Sequence, residues 1–492
     1  MSLRETFGPF FNRLPAVAGP EGHVHFKNKL MWTLTILILY FALANVPLFG
    51  LSESSIDLFE QYRAFFAGAS GSLMLLGIGP IVTASIVLQL LVGADVIKLN
   101  MSDPADQALF QGAQKFLVFV MIVVEALPQI LGGYILPDPN IAASLGVGLG
   151  VVTFIIFLQI CIGGVLILFM DEIVSKWGIG SGVGLFIVAG VSQQIVTGLI
   201  NWIPDSSGLP VGIIPKWLYI AQNVDAGYLL SADGVLFMLV NGGLLALVST
   251  VAIFLIVVFV ESTRIEIPLS HSAVKGARGR FPVKLIYASV LPMILVRALQ
   301  ANIQLIGLLL AGRGITVLGE YSGSKPVNGI MYYLAPINSP YDWIPSLVRE
   351  NFASYGYAAP ATWQIGLHVF MDAFILIAGG IIFALFWIET TGMGAKPTAR
   401  KVFNSGMQIP GFRRNVGSIE KVMLRYIPKV TVIGGAFIGA LTLIASLMGT
   451  LGGAGGTGLL LTVSIVYRLY EDIASEQLME MHPMMRSFFG QE

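Results

Sequence analysis

The sequence predicts an all-α integral membrane protein with ten transmembrane helices. Three observations lead there: the chain is too apolar for a soluble domain, it holds ten runs able to cross a bilayer, and its basic residues fall mostly on one side of them. Of 492 residues, 55% are hydrophobic and 11% charged, with a mean hydropathy of +0.80, whereas an ordinary soluble domain carries about 25% charged residues. So much apolar surface must face lipid. The net charge is zero, so bulk charge points to no partner. The single cysteine, Cys161, lies in an apolar run and cannot close an internal disulfide.

A helix needs about 20 apolar residues to cross the hydrocarbon core, where no water satisfies exposed backbone groups. Runs of that kind lie near 28–49, 72–93, 109–134, 143–170, 178–201, 233–261, 283–312, 362–391, 426–449 and 455–471. The first apolar stretch, Leu30–Leu48, is too long for the core of a cleaved signal and is read as an uncleaved first span. The expected organisation is an N-terminal segment (1–27), a first half of five spans (28–201), an external loop (202–232), a second half of five spans (233–471) and a C-terminal tail (472–492). Five spans per half make the two halves oppositely oriented, as an inverted repeat requires.

Orientation follows from lysine and arginine, which collect in cytoplasmic loops. Twenty-two fall on the side of both termini and five on the other, with Arg297 inside the seventh span. Both termini are therefore expected in the cytoplasm. Two cytoplasmic loops, 262–284 and 392–425, are long and basic. Beyond anchoring, such clusters suit docking of a polyanion. Arg278 and Arg280 in GARGR (276–280), and Arg413 and Arg414 in GFRR (411–414), sit beside glycine and are expected on projecting turns.

The segment Ser52–Phe66 is too short and polar to span. Ile56, Leu58, Phe59, Tyr62 and Phe66 recur in it at near-helical spacing after serines suited to a cap. It is either a surface helix or a segment that folds back into the protein.

Catalytic motifs are missing. The histidines (His23, His25, His271, His368, His482) form no H-E-x-x-H, and His23 and His25 have no cysteine or carboxylate cluster near them, so no metal site is expected. No Gly-Lys dipeptide occurs, so there is no Walker A loop and no cofactor is expected. Residues 453–458 match G-x-G-x-x-G, but a membrane turn precedes them where a dinucleotide site needs a strand. An ion-driven transporter is a stronger rival, because GIGP (77–80), GIGSGVG (178–184) and the glycines of 452–458 interrupt spans 2, 5 and 10. Coupled transporters keep ionisable groups on their path, whereas Glu125, Arg297 and Asp372 are scattered over spans 3, 7 and 8.

The run LGIGPIVTASIVLQLL (76–91) resembles the second transmembrane helix of the SecY family, which includes the alpha subunit of the eukaryotic ER translocon. ALFQGAQK (108–115) resembles the start of that family's third helix, and DEIVSKWGIGSG (171–182) its fifth. RIEIPL (264–269), WIETTG (387–392) and LTVSIVYR (461–468) are similar to further landmarks in the same order, with archaeal-like wording. The resemblance implies a protein-conducting channel, not an enzyme, built of two pseudo-symmetric halves. It would translocate unfolded secretory polypeptides across the cell membrane and release transmembrane segments laterally into lipid.

Carried over by position, the family's central apolar ring falls on Ile78, Val82, Val183, Ile187, Ile294 and Leu461. The pairs 78/82 and 183/187 are four apart, so each lines one helix face. The resemblance also makes 53–68 the family's plug, a short re-entrant helix. It sets helices 2 and 3 against 7 and 8 across a lateral gate, where Thr83, Gln89 and Asn302 are the polar residues placed to bridge the seam. Arg297, about one turn beyond Ile294, is expected to face an aqueous outer funnel or to pair with a carboxylate such as Glu60. The implied partners are small SecE/gamma-type and SecG/beta-type membrane subunits, a ribosome or other driver on the basic loops at Arg278, Arg280, Arg413 and Arg414, signal sequences with their nascent chains, and lipid.

Overall fold

The computed structural model describes residues 9–481 except 12, 23, 56–61, 94–95, 98, 100–102, 206–207, 272–277, 286–290 and 411–414. In the first half, a helical turn at 9–11 (α1) precedes α2 (Phe26–Ala44), the short α3 (Arg63–Phe66), α4 (Gly79–Gly93), α5 (Pro104–Leu131), α6 (Pro139–Leu145), α7 (Leu149–Trp177) and α8 (Gly182–Ile200). Local chemistry sets several ends. Asp103 accepts from the Ala105 amide at 3.1 Å, with Pro104 in the first turn of α5, and Asp138 does the same for Asn140 at 2.8 Å before Pro139 of α6. A side-chain acceptor ahead of proline occupies an otherwise orphaned amide where proline has none to lose.

The second span is not helical throughout. Its apolar run begins at 72, yet α4 starts only at Gly79, because the preceding backbone turns tightly around the α3 segment. Gly77 has φ +56°, and a Cβ there would sit 2.1 Å from the Phe66 carbonyl oxygen. Only glycine accepts both that backbone and that approach.

A crossing segment with α9 (Ile213–Asn223) and α10 (Ala226–Leu229) leads to the second half. The sixth span, expected as one helix, is split into α11 (Ala232–Leu239) and α12 (Leu244–Ser262) by a turn with Gly243 at φ +73°. The strands β1 (Arg264–His271) and β2 (Arg278–Lys284) follow, then α13 (Leu291–Gly312). A cap is built from β3 (Tyr321–Ser322), β4 (Lys325–Pro326), α14 (Gly329–Leu334) and α15 (Pro345–Ser354). The chain ends with α16 (Thr362–Thr390), α17 (Ala395–Asn404), β5 (Met407–Gln408), α18 (Val416–Met448) and α19 (Gly455–Met481).

Among the described residues, eight helices are long and apolar enough to cross a membrane, and α4 is a shorter apolar one. Their outward faces carry Leu34, Phe154, Leu255, Phe259 and Phe374 exposed, as lipid contact requires. Helices α16 and α18 approach closely: a Cβ at Gly439 would lie 2.5 Å from the Leu376 carbonyl oxygen, and one at Gly435 would lie 2.8 Å from that of Gly380. Small residues permit such backbone contact in membranes.

Besides the two-stranded β3–β4 ladder of the cap, the helical expectation has one further small exception. The two long basic loops do not project separately: β1 pairs antiparallel with β2, and β5 from the second loop adds to the other edge of β1. Ile267, Leu269 and Val283 of this sheet share an apolar cluster with Ala399 and Val402 of α17 and Ile419 and Met423 of α18. The loops therefore form one platform on what is called here the basic face. The cap lies on the far face, with its own cluster of Val327, Tyr332, Val348 and Phe352 against Ile365 of α16.

Candidate functional site

The six ring positions share one extended apolar core, in which α8 packs on α19 and α13 packs on both α4 and α19. Ile78, Val82, Ile187, Ile294 and Leu461 are all buried in one apolar cluster, and the half-buried Val183 packs against it. A cavity of about 440 Å³ on the basic face is lined by Val183, Gly184, Leu291, Ile465 and Arg468, among others. On the far face, a cavity of about 310 Å³ is lined by Tyr62, Gln194, Arg297, Lys325, Asn338 and Thr457, among others. Three helices place their residues in the same axial order. Along α8 the sequence is Gly184, Ile187, Gln194; along α13 it is Leu291, Ile294, Arg297; along α19, reversed, it is Thr457, Leu461, Ile465. Steps of three, four or seven residues keep to one helix face, so each helix contributes a cavity residue, a ring residue and another cavity residue.

Of the plug positions, Tyr62 and Phe66 are buried in the ring's cluster, and their rings lie 6.4 Å apart. Ile56, Leu58 and Phe59 fall outside the described residues. The Ile78 amide donates to the Phe66 carbonyl at 2.7 Å, and the Tyr40 hydroxyl donates to that of Ala67 at 2.8 Å. Ala67 ends α3 at φ +50°, the sole non-glycine residue with positive φ among those described. One of these hydrogen bonds holds the strained turn against the start of α4, and the other holds it against α2.

At the seam between α4 and α13, Asn302 Nδ2 donates to Thr83 Oγ1 at 3.3 Å and to its own helix at Ala298 at 2.8 Å. The structure adds Glu125 of α5, which is buried beside this seam, while the Thr83 hydroxyl donates to the Gly79 carbonyl of its own helix at 3.0 Å. A Cβ at Gly79 would lie 3.0 Å from the Glu125 carboxylate. The sequence signal for this residue is a lone carboxylate within an apolar span, with nothing to say which helix it packs against. Gln89 does not meet Asn302. It opens into a separate cavity of about 350 Å³ with Ser85, Gln107, Gln111 and Gln114, facing Trp387 and Thr390 of α16.

Arg297 pairs with a carboxylate, as one of the two expectations drawn for it has it. Its carboxylate partner is Asp372 of α16, at 3.0 Å, with both side chains almost fully enclosed. Gln300 Oε1 accepts from Arg297 at 2.7 Å, and Thr457 Oγ1 accepts at 3.1 Å. Glu60 lies outside the described residues. Intramembrane charges that look scattered along the chain thus pair across two helices. An unpaired arginine at mid-membrane costs about 2.5–3.5 kcal/mol on an insertion scale, which is the reason the pairing forms.

Arg278 and Arg280 lie on strand β2 rather than on a turn, because the hairpin continues to β1 through the register Ser270↔Arg278 and Pro268↔Arg280. Arg280 is exposed and ion-paired with Glu266, while Arg413 and Arg414 fall outside the described residues. At the hairpin's base, Arg264 and Lys284 both pair with Glu471 of α19, at 3.1 and 2.5 Å. Among the described residues, no three His, Cys, Asp or Glu side chains gather as metal ligands.

Comparison with known proteins agrees with this geometry. A family model described as SecY matches residues 72–470, and one described as the plug domain of Sec61p matches 38–71. Protein translocase subunit SecY of Archaeoglobus fulgidus is 59% identical over 492 residues, covering 100% of this chain and 99% of the relative. That of Haloarcula marismortui is 56% identical, with both chains covered in full. A solved structure described as a protein-conducting channel superposes with a TM-score of 0.78 at 38% identity, covering 98% of this chain and 99% of the other. Sec61 in the canine ribosome-channel complex gives 0.75 at 38%, with the same coverage. The chain belongs to the SecY family. It is a multi-pass membrane protein and a channel-forming translocase subunit, not a catalytic enzyme.

Proposed function

We propose that this chain passes unfolded secretory polypeptide through the ring of Ile78, Val82, Val183, Ile187, Ile294 and Leu461, and releases transmembrane segments into lipid between α4/α5 and α13/α16. The observation that carries this reading is the shared axial order of cavity, ring and cavity on α8, α13 and α19. A narrow apolar constriction between two wider spaces sheds water and blocks ions. It also makes no hydrogen bonds that would favour one passing side chain over another. Phe66 and Ala67 close it from the far side, and Thr83 and Asn302 latch the seam.

The basic face is assigned to the cytoplasm, with both termini there, and the membrane to the cell membrane. The platform of β1, β2, β5 and α17 receives a ribosome or other driver through Arg278, Arg280, Arg413 and Arg414. The solved Sec61 relative, described in a complex with the ribosome, supports that assignment. Small SecE/gamma-type and SecG/beta-type subunits complete the channel. The test is site-specific crosslinking from Ile78, Val82 and Ile187 to a secretory chain stalled in transit. Adducts at all three positions are expected; their absence, with saturable uptake of a small solute instead, would restore the transporter.

A further inference from the structure

Helix α13 is attached unequally on its two sides. Toward the first half it makes two neutral hydrogen bonds, from Asn302 to Thr83 at 3.3 Å and from the Tyr134 hydroxyl to the Leu308 carbonyl at 2.8 Å. Toward α16 it offers the enclosed Arg297–Asp372 ion pair at 3.0 Å. Beside that pair, the Val296 side chain would come within 3.0 Å of a Cβ on Gly379. The far-face cap is tied to the same helix, since Gln300 and Gln304 donate to the carbonyls of Leu334 and Met331, both at 2.9 Å. Asp372 joins the two attachments by also accepting from Gln300 at 3.2 Å. Charge-assisted bonds are stronger than neutral ones, and parting an enclosed pair strands a charge in an apolar medium. When α13 moves, α16 and the cap therefore move with it, and the α4 side gives way.

We propose that the Arg297–Asp372 pair positions α13 by making α13, α16 and the cap one rigid body, and so sets how strong a signal sequence must be to part the α4/α13 seam. Without the pair, α13 leaves α4 without dragging α16, and a weaker incoming segment suffices. This inference rests on the lateral-gate reading above.

The geometry supplies its own test. An ideal Cβ at Gly379 lies 3.7 Å from the Val296 Cβ, within the span of a relaxed disulfide. In a Cys161→Ser background, Val296→Cys with Gly379→Cys is oxidised with copper–phenanthroline, and the purified channel complex is assayed in proteoliposomes. The locked channel is expected to transport a precursor with a full-strength signal as the reduced one does. Arg297→Gln and Asp372→Asn are expected to raise transport of a precursor with a shortened signal core, relative to the intact one, by at least about 5-fold, the low end of ordinary coupling between sites. Arg297→Lys falls between, and adding the disulfide to either neutralised variant returns the ratio to the parent value. Should the single variants fail to accumulate, Arg297→Met with Asp372→Leu strands no charge and is expected to show the same relaxed ratio. Arrest of the full-strength precursor by the α13/α16 lock would overturn the proposal, as would an unchanged ratio in the neutralised variants. A second lock, Thr83→Cys with Asn302→Cys, tests the gate reading separately: transport that survives it removes the gate, whatever the first lock does.

Discussion

Replacing Gly77 by alanine is expected to open the resting channel to ions, and the structure sets the size of the effect. The new Cβ would lie 2.1 Å from the Phe66 carbonyl oxygen, so the α3 segment and the start of α4 have to part. The hydrogen bond from Ile78 to Phe66, 2.7 Å long, is lost with that movement, at about 0.5–1.5 kcal/mol. Alanine at φ +56° adds about 1–2 kcal/mol of backbone strain. Together these come to roughly 1.5–3.5 kcal/mol, or a 10- to 300-fold shift towards the displaced plug at 1.4 kcal/mol per decade. The assay is single-channel conductance of the purified complex in planar bilayers without substrate. Tyr40→Phe, which removes only the 2.8 Å bond to Ala67, is expected to leak in the same direction but less. A Gly77→Ala channel that accumulates normally and stays sealed would refute the reasoning, because nothing else in the structure relieves that collision.

Other outcomes follow from the same geometry. Asn302→Leu removes the bridge to Thr83; at about 0.6–1.7 kcal/mol for an intramembrane hydrogen bond it is expected to favour the parted seam by roughly 3- to 20-fold, read as transport of precursors with weakened signals. Ile187→Gly with Leu461→Gly widens the ring while the Tyr40 and Ile78 hydrogen bonds to the plug segment remain in place, so resting conductance rises. Arg278→Glu with Arg280→Glu places like charge opposite Glu266. Ribosome binding should weaken in a co-sedimentation assay, most clearly at low salt where surface charge is least screened, with the assembled channel preserved; unaltered binding would reassign the docking surface.

Much of the fold is legible in the sequence because a bilayer makes strong local demands. A crossing helix has to satisfy its own backbone within about 20 consecutive residues, so apolar runs locate the spans without knowledge of their neighbours. Where that demand relaxes, legibility fails. The run beginning at 72 stays irregular until Gly79, since its backbone groups find partners in Phe66 and other protein atoms rather than in a helix. The run from 233 breaks at Gly243 for a reason that composition alone does not carry. The basic loops read as separate projections, but a strand pairing such as Ser270 with Gln408 depends on residues 138 apart being brought together.

The candidate site divides along the same line. The spacing of Ile78 and Val82, or of Val183 and Ile187, shows that each pair shares a face, and family resemblance singles out the six ring residues from many similar ones. Only tertiary packing decides what those faces meet. The bilayer acts on each helix separately, so the chain by itself determined the class, the spans and the charge asymmetry. The partners of Arg297 and Phe66 are settled by how helices cross. Asp372 lies 75 residues from Arg297 in sequence and 3.0 Å from it in space, and no local rule connects the two.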